Sequence, residues 1–299
     1  MPELPEVETI ARTLAPQVQG STITGVQVLL PKSMAAGAEL LPCLEGATIE
    51  GICRRAKLLL VGINPQKTLP GELKTTPEPH VLPNGLPDGL RGLPLFLAFH
   101  LKMTGRFFVH PAGTKPLPHT RIIVDLDCGR LFFDDTRTFG YCRILKPEDF
   151  ATWDFWQRLG PEPLETAPEV LAERLRKKHS RIKAALLDQS VVAGVGNIYA
   201  DESLFRAGIR PDAKASAIPA GRLAQLARCV QEVLAQSIEE CGSSIRDYRD
   251  AKGNAGAFQN SFAVYGQKGR ACQTCQTPLE TATIAGRTTV YCPHCQLLQ

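Results

Sequence analysis

Four cysteines near the C-terminus form two matched knuckles, Cys272-Gln-Thr-Cys275 and Cys292-Pro-His-Cys295, separated by sixteen residues. Thiolates at this spacing close a tetrahedron around one zinc ion and leave no position for substrate, so the metal would hold shape and do no chemistry. A redox pair or disulfides are the competing readings, but a redox site needs one such knuckle rather than two. Between the knuckles, Gly286 suits a hairpin turn and places Arg287 beside the tip, where it can meet a phosphate or simply be solvated.

A second signal is Gly194-Val-Gly-Asn-Ile-Tyr-Ala-Asp-Glu202, a glycine turn running into a helix. Free N–H groups and the helix dipole at such an end attract an anion, and Asn197 can add a side-chain donor. Alternatively, the glycines only let two helices pack. Just upstream, Arg174, Arg176, Lys177, Lys178, Arg181 and Lys183 concentrate positive charge in ten residues. Such a run is usually a wet helix face, yet beside a phosphate-type turn it favours a polyanion.

The N-terminus begins Met-Pro-Glu. With Met1 removed, Pro2 presents a secondary amine titrating near about 8, against about 10.4 for lysine, so part of it is a neutral nucleophile at neutral pH. A secondary amine condensing with a sugar C1′ gives an iminium that is cationic without protonation and acidifies the C2′ hydrogens. Elimination of the 3′ phosphate then follows. Glu3, one residue away, can act as general acid or base at that carbon. A frayed terminus is the plain alternative.

These groups need elements to position them. Val7, Ile10, Ala11, Leu14 and Val18 share one helical face, with Pro5 in the first turn and Pro16 expected to end the helix. Short β-type runs follow at 22–30, 47–53, 58–63, 95–101, 106–110, 121–127, 130–133 and 141–145, which predicts a β-sandwich or barrel. The Pro- and Gly-rich stretch 64–94 lacks either period and is expected to be a long loop or disordered insertion. Helical periodicity returns at 169–178, 180–189, 197–207 and 220–240.

The 299 residues carry a net charge of +4 and 43% hydrophobic side chains, ordinary for two or three globular cores. Glu3, Glu6 and Glu8 stand where a secretion signal needs positive charge, so a reducing, cytoplasmic setting is expected. Apolar runs such as Leu58 to Val61 are far shorter than the ~20 residues of a membrane span.

Met-Pro-Glu-Leu-Pro-Glu-Val-Glu-Thr, Arg54-Arg-Ala-Lys57, His100-Leu-Lys-Met-Thr-Gly105, Asp135-Thr-Arg-Thr-Phe-Gly140, Gly194 to Ala200 and the four-cysteine tail together resemble the bacterial formamidopyrimidine-DNA glycosylases. Their order and spacing match over nearly the whole chain outside 64–94. The resemblance implies an α+β multidomain protein. Its parts would be residues 1–150 as an N-terminal helix plus catalytic β-sandwich, 151–166 as a linker, 167–268 as a helix-two-turn-helix domain, and 269–299 as a zinc finger.

It further implies a bifunctional glycosylase and abasic-site lyase that excises oxidised purines from double-stranded DNA and cuts by β,δ-elimination, acting as a monomer with one structural zinc. Pro2 would be the nucleophile, Glu3 the proton shuttle, and Lys57 a phosphate ligand near the lesion, with Asn197 and Arg287 gripping backbone. Met103, Arg137 and Phe139 would enter the duplex vacated by the flipped base, with Arg137 facing the orphaned cytosine. His100, Tyr265 and Lys268 would touch backbone, Lys183 would lie near the lesion, and the glycine-bearing stretch 249–258 would be a mobile loop over the flipped base. Thr136, Thr138 and Gln267 depart from the family pattern, and weaker phosphate contact is expected there.

Two other functions compete. The endonuclease VIII branch shares the fold and the proline but prefers oxidised pyrimidines; its opening usually resembles MPEGPE, so Leu4 and the residues after it favour the purine branch. A zinc-bearing protein that recognises damaged DNA without cutting would use the same helical and zinc parts, and only the N-terminus discriminates.

Overall fold

A computed structural model of the chain describes residues 2–69, 85–245 and 248–297. These divide into two compact units. The first holds Pro2, Glu6–Gln157 and Ser244–Gly256; the second holds Glu3–Pro5, Arg158–Ser243 and Ala257 onward.

Helix α1 (Leu4–Val18), which belongs to the first unit from Glu6 onward, leads into β1 (Ile23–Val28), β2 (Met34–Ala36), the single turn α2 (Leu41–Leu44), β3 (Thr48–Arg55), β4 (Leu58–Asn64) and β5 (Leu95–His100). Next come β6 (Gly105–His110), β7 (Thr120–Leu126), β8 (Gly129–Asp135), β9 (Tyr141–Leu145) and the short helices α3 (Asp149–Thr152) and α4 (Asp154–Gln157). The strands form a four-stranded sheet, β1-β7-β8-β6, and a five-stranded sheet, β2-β9-β5-β4-β3. Both face one core. Phe107, Val124 and Phe133 of the first sheet meet Leu59, Val61 and Phe99 of the second, with Phe99 edge-on to Phe107 at 4.9 Å. This is the expected sandwich, and Val7, Ile10, Ala11, Leu14 and Val18 of α1 lie on it.

Two local expectations need correction. Helix α1 continues through Pro16 to Val18. A proline this near the C-terminal end forfeits one backbone bond, and burial of Val18 outweighs that loss. The 64–94 insertion is packed where it is described: Asp88–Leu90 form one 3-10 turn, Leu69, Leu86 and Leu90 are buried, and Leu69 joins the core. Its returning leg covers the outer face of β4, where a side chain at Gly62 would collide with Leu90 and Leu93. Strand β4 is therefore apolar without alternation because both its faces are covered. Residues 70–84 lie outside the described residues.

The second unit contains α5 (Pro168–Arg176), α6 (Ile182–Leu187), α7 (Asn197–Arg206) and α8 (Ala220–Glu239), then the hairpin β10 (Glu280–Ile284) and β11 (Arg287–Tyr291). The helices enclose a core of Leu171, Ile182, Leu186, Tyr199, Leu223 and Val230. Ala285 and Gly286, both at positive φ, make the two-residue turn that joins β10 to β11. No helix among the described residues is long and apolar enough to cross a membrane.

Candidate functional site

One end of the first unit gathers several of the expected residues. Leu58 at the start of β4 and Tyr141 at the start of β9 both pair with His100 at the end of β5. Lys57 and the loop before β9 therefore emerge beside His100. Lys57 is 6% exposed and sits in the two-residue turn between β3 and β4, where Ala56 has φ 54°. Arg54 steadies that turn by donating to the Ala56 carbonyl at 3.1 Å and to Glu8 at 2.9 Å.

His100 is buried, and its Nδ1 accepts the Lys102 N–H at 3.0 Å, which leaves Nε2 as the donor nitrogen. Burial, with help from the Lys102 and Lys57 charges, lowers its pKa to about 3. The folded protein thus carries a neutral imidazole, whereas the unfolded chain binds a proton near pH 6.5. The stability this confers is complete above pH 6.5 and is lost toward pH 3, by about 1.4 kcal/mol per pH unit in between. Denaturant titrations at pH 6 and pH 5 should show this loss, and His100→Gln should flatten it; equal slopes for the two proteins would contradict the burial of a neutral ring.

Asp135 organises the neighbouring loops. Its buried carboxylate accepts the Thr104 hydroxyl, the Arg137 N–H at 3.3 Å and the Gly140 N–H at 2.7 Å. One carboxylate so ties the β5–β6 turn to the β8–β9 loop. From this scaffold Met103 is 41% and Phe139 53% exposed, unusual for large apolar side chains, and the Arg137 guanidinium lies 5.0 Å from the Phe139 ring centre. Thr138 has φ 57°, and its hydroxyl accepts from Lys32 at 2.8 Å, so a cation reaches this position from another element.

In the second unit, Glu3 lies at the N-terminal end of α7. Its buried carboxylate accepts the Ile198 N–H at 3.3 Å, and the Leu4 N–H donates to the Gly194 carbonyl at 3.1 Å. Gly196 makes room for it: a Cβ there would stand 2.2 Å from the Glu3 carboxyl carbon. At Gly194, φ is +83° and a Cβ would fall 2.6 Å from Leu4. The anion at this helix end is therefore the chain's own Glu3, where the sequence pattern alone points to phosphate. The dipole and the free N–H groups act on that carboxylate.

Asn197 opens α7, and its Nδ2 donates to the Thr288 carbonyl at 3.1 Å; Arg287, the preceding residue, is exposed at the hairpin tip. Lys183, expected near a lesion, is fully buried. Its ammonium pairs with Asp201 at 2.7 Å and donates to the Thr289 hydroxyl at 2.7 Å and the Thr288 carbonyl at 3.3 Å. Burial holds the Asp201 carboxyl up at about 6 and lowers the Lys183 ammonium below the usual lysine range, each partly offset by the other's charge. Much of the basic run upstream is also paired: Arg176 and Lys177 with Glu173, and Lys178 with Asp188. Those pairs are exposed and weak, so they leave the cations accessible to a polyanion.

Glu202 accepts the N–H groups of Ala263, Val264 and Tyr265 at 2.9, 3.0 and 2.7 Å, and so fixes the segment that carries half-buried Tyr265 and exposed Lys268. Burial raises its carboxyl pKa against the pull of these three bonds. Asp201 and Glu202 carry positioning work that their place in an ordinary helix pattern does not announce. A pair of acids buried mid-helix, beside an asparagine at its start, is the signal available.

The stretch 249–258, expected to be mobile, is closed around buried Asp250, which accepts the Lys252 and Asn254 N–H groups at 2.9 and 2.8 Å. Ala251 is tied to α1 through the Thr13 hydroxyl at 3.1 Å and the Gln17 amide at 3.3 Å.

The sulfur atoms of Cys272, Cys275, Cys292 and Cys295 all lie within 4.8 Å of one another, at 3.9 Å for Cys272–Cys295 and 3.4 Å for Cys275–Cys292. A tetrahedral zinc with sulfur ligands at about 2.3 Å sets its ligands about 3.8 Å apart, so the four fit that ion.

The chain matches known proteins over nearly its whole length. The family model for the formamidopyrimidine-DNA glycosylase N-terminal domain matches residues 1–142, and that for the formamidopyrimidine-DNA glycosylase H2TH domain matches 159–249. The chain is 46% identical to the formamidopyrimidine-DNA glycosylase of Nitratidesulfovibrio vulgaris, covering 99% of this chain and 100% of that protein. Among solved structures it is similar to the MutM (Fpg) protein of Thermus thermophilus, at 36% identity and TM-score 0.81 over 100% of both chains. A Lactococcus lactis Fpg variant in complex with Fapy-dG-containing DNA matches at 32% identity and TM-score 0.84, with 99% of each chain covered.

Proposed function

Because the chain belongs to the formamidopyrimidine-DNA glycosylase family, we propose that it is a bifunctional DNA glycosylase and abasic-site lyase that removes oxidised purines. One observation carries this reading. A buried carboxylate, Glu3, is held at a helix N-terminus by a glycine that admits nothing larger, and it directly follows a proline whose nitrogen is a secondary amine once Met1 is gone.

The Pro2 nitrogen attacks C1′ of the damaged nucleotide, and the glycosidic bond breaks with its electron pair leaving on the base, which takes up a proton. Glu3 takes up the proton that the Pro2 nitrogen releases and delivers it to O4′ as the C1′–O4′ bond breaks, which leaves the iminium. The resulting iminium withdraws electrons from C2′; loss of a C2′ proton expels the 3′ phosphate, and a second elimination expels the 5′ phosphate. Lys57, Asn197 and Arg287 hold backbone phosphates, with His100, Tyr265 and Lys268 as further contacts. Met103, Arg137 and Phe139 replace the base that leaves the stack, and apolar and cationic contact offsets part of the unstacking cost. One zinc bound to the four cysteines fixes the hairpin that carries Arg287.

Duplexes holding 8-oxoguanine opposite cytosine and thymine glycol opposite adenine, assayed side by side, test the substrate class. The purine lesion should be released faster; dominant release of thymine glycol would assign the protein to the pyrimidine-preferring branch.

A further inference from the structure

Among the described residues, strand β11 pairs with β10 along one edge only, which leaves backbone groups on its other edge in need of partners. Side chains supply them. Asn197 and Asp201, four residues apart on α7, face that edge together with Lys183 of α6: Asn197 and Lys183 both donate to the Thr288 carbonyl, and Asp201 accepts the Val290 N–H at 3.2 Å. Lys183 also holds the Thr289 hydroxyl at 2.7 Å, and the Lys183–Asp201 pair itself is wholly buried.

We infer that Asp201, paired with Lys183, is a positioning residue for DNA binding: the pair sets the backbone of β11 on α7 so that Arg287 and Asn197 grip phosphate in a fixed relation, while Lys183 itself makes no contact with DNA. This rests on the phosphate-gripping role given to Arg287 above. A buried ion pair is weak support for stability, since apolar residues of similar volume often replace one without loss. What apolar residues cannot replace is the direction of the bonds to Thr288, Thr289 and Val290.

The double variant Lys183→Met, Asp201→Leu separates position from stability. It should unfold cooperatively and hold one zinc, yet bind abasic-site DNA at least tenfold more weakly than wild type. The slope of log binding constant against log salt should fall by about 0.9 for each phosphate no longer held. Adding Arg287→Ala should cost little more in that background, although it weakens the wild type strongly, because both changes release the same phosphate. If the double variant does not hold zinc, the near-isosteric Asp201→Asn carries the same cycle with Arg287→Ala. A zinc-loaded variant that binds as wild type does, or a full additional loss from Arg287→Ala, overturns the inference. If Arg287→Ala alone leaves binding unchanged, the phosphate role of Arg287 fails, and the inference fails with it.

Discussion

Replacing Glu3 with glutamine should lower the single-turnover rate of base excision by about 10²- to 10⁴-fold, the range for loss of a general acid, with DNA affinity within a few-fold of wild type. Glutamine fills the space that Gly196 leaves and still presents an oxygen to the Ile198 N–H, so the local fold is kept. Only the capacity to take up and deliver a proton is lost. The helix dipole and the Ile198 N–H hold the ionised carboxylate in place, ready to take up the proton that it then delivers. Excision measured with enzyme in excess over an 8-oxoguanine duplex gives the chemical step; a rate within threefold of wild type would remove Glu3 from the reaction.

Stripping zinc, or replacing Cys292 with alanine, should abolish DNA binding. The apolar cluster under the hairpin consists of Val264, Leu279 and Val290 besides two of the cysteines. At about 1.5–3 kcal/mol for each buried side chain, these three cannot replace the roughly 10–16 kcal/mol that zinc supplies when it folds a finger. Without the metal, β11 should come away from Lys183, Asn197 and Asp201, and Arg287 loses its place. Metal analysis should find one zinc per chain, and chelation should weaken binding at least a hundredfold while the β-sandwich circular dichroism persists. Chelated, zinc-free protein that binds normally would show the hairpin to be dispensable.

Periodicity and spacing made the core-facing side of α1, the sandwich strands and the cysteine knuckles legible, because each is a local pattern repeated along the chain. The three-residue strand β2 is too short to show a period, and it forms by parallel pairing to β9, more than a hundred residues away. Partners brought together from distant stretches left no such trace. The glycine turn before α7 reads as an anion site, but nothing near it names Glu3, nearly two hundred residues upstream, as the anion. The basic run shows its charge in the sequence, whereas only the fold shows Lys183 turned inward onto Asp201. Asp135 reads as a strand end, yet it ties two loops into the support for Met103, Arg137 and Phe139.

The most direct test of the central claim is borohydride trapping on 8-oxoguanine DNA, followed by peptide mapping of the adduct. The N-terminal peptide should carry the sugar on Pro2, and protein with an acetylated N-terminus should trap nothing. An adduct on a lysine, or undiminished trapping by the acetylated protein, would contradict the account.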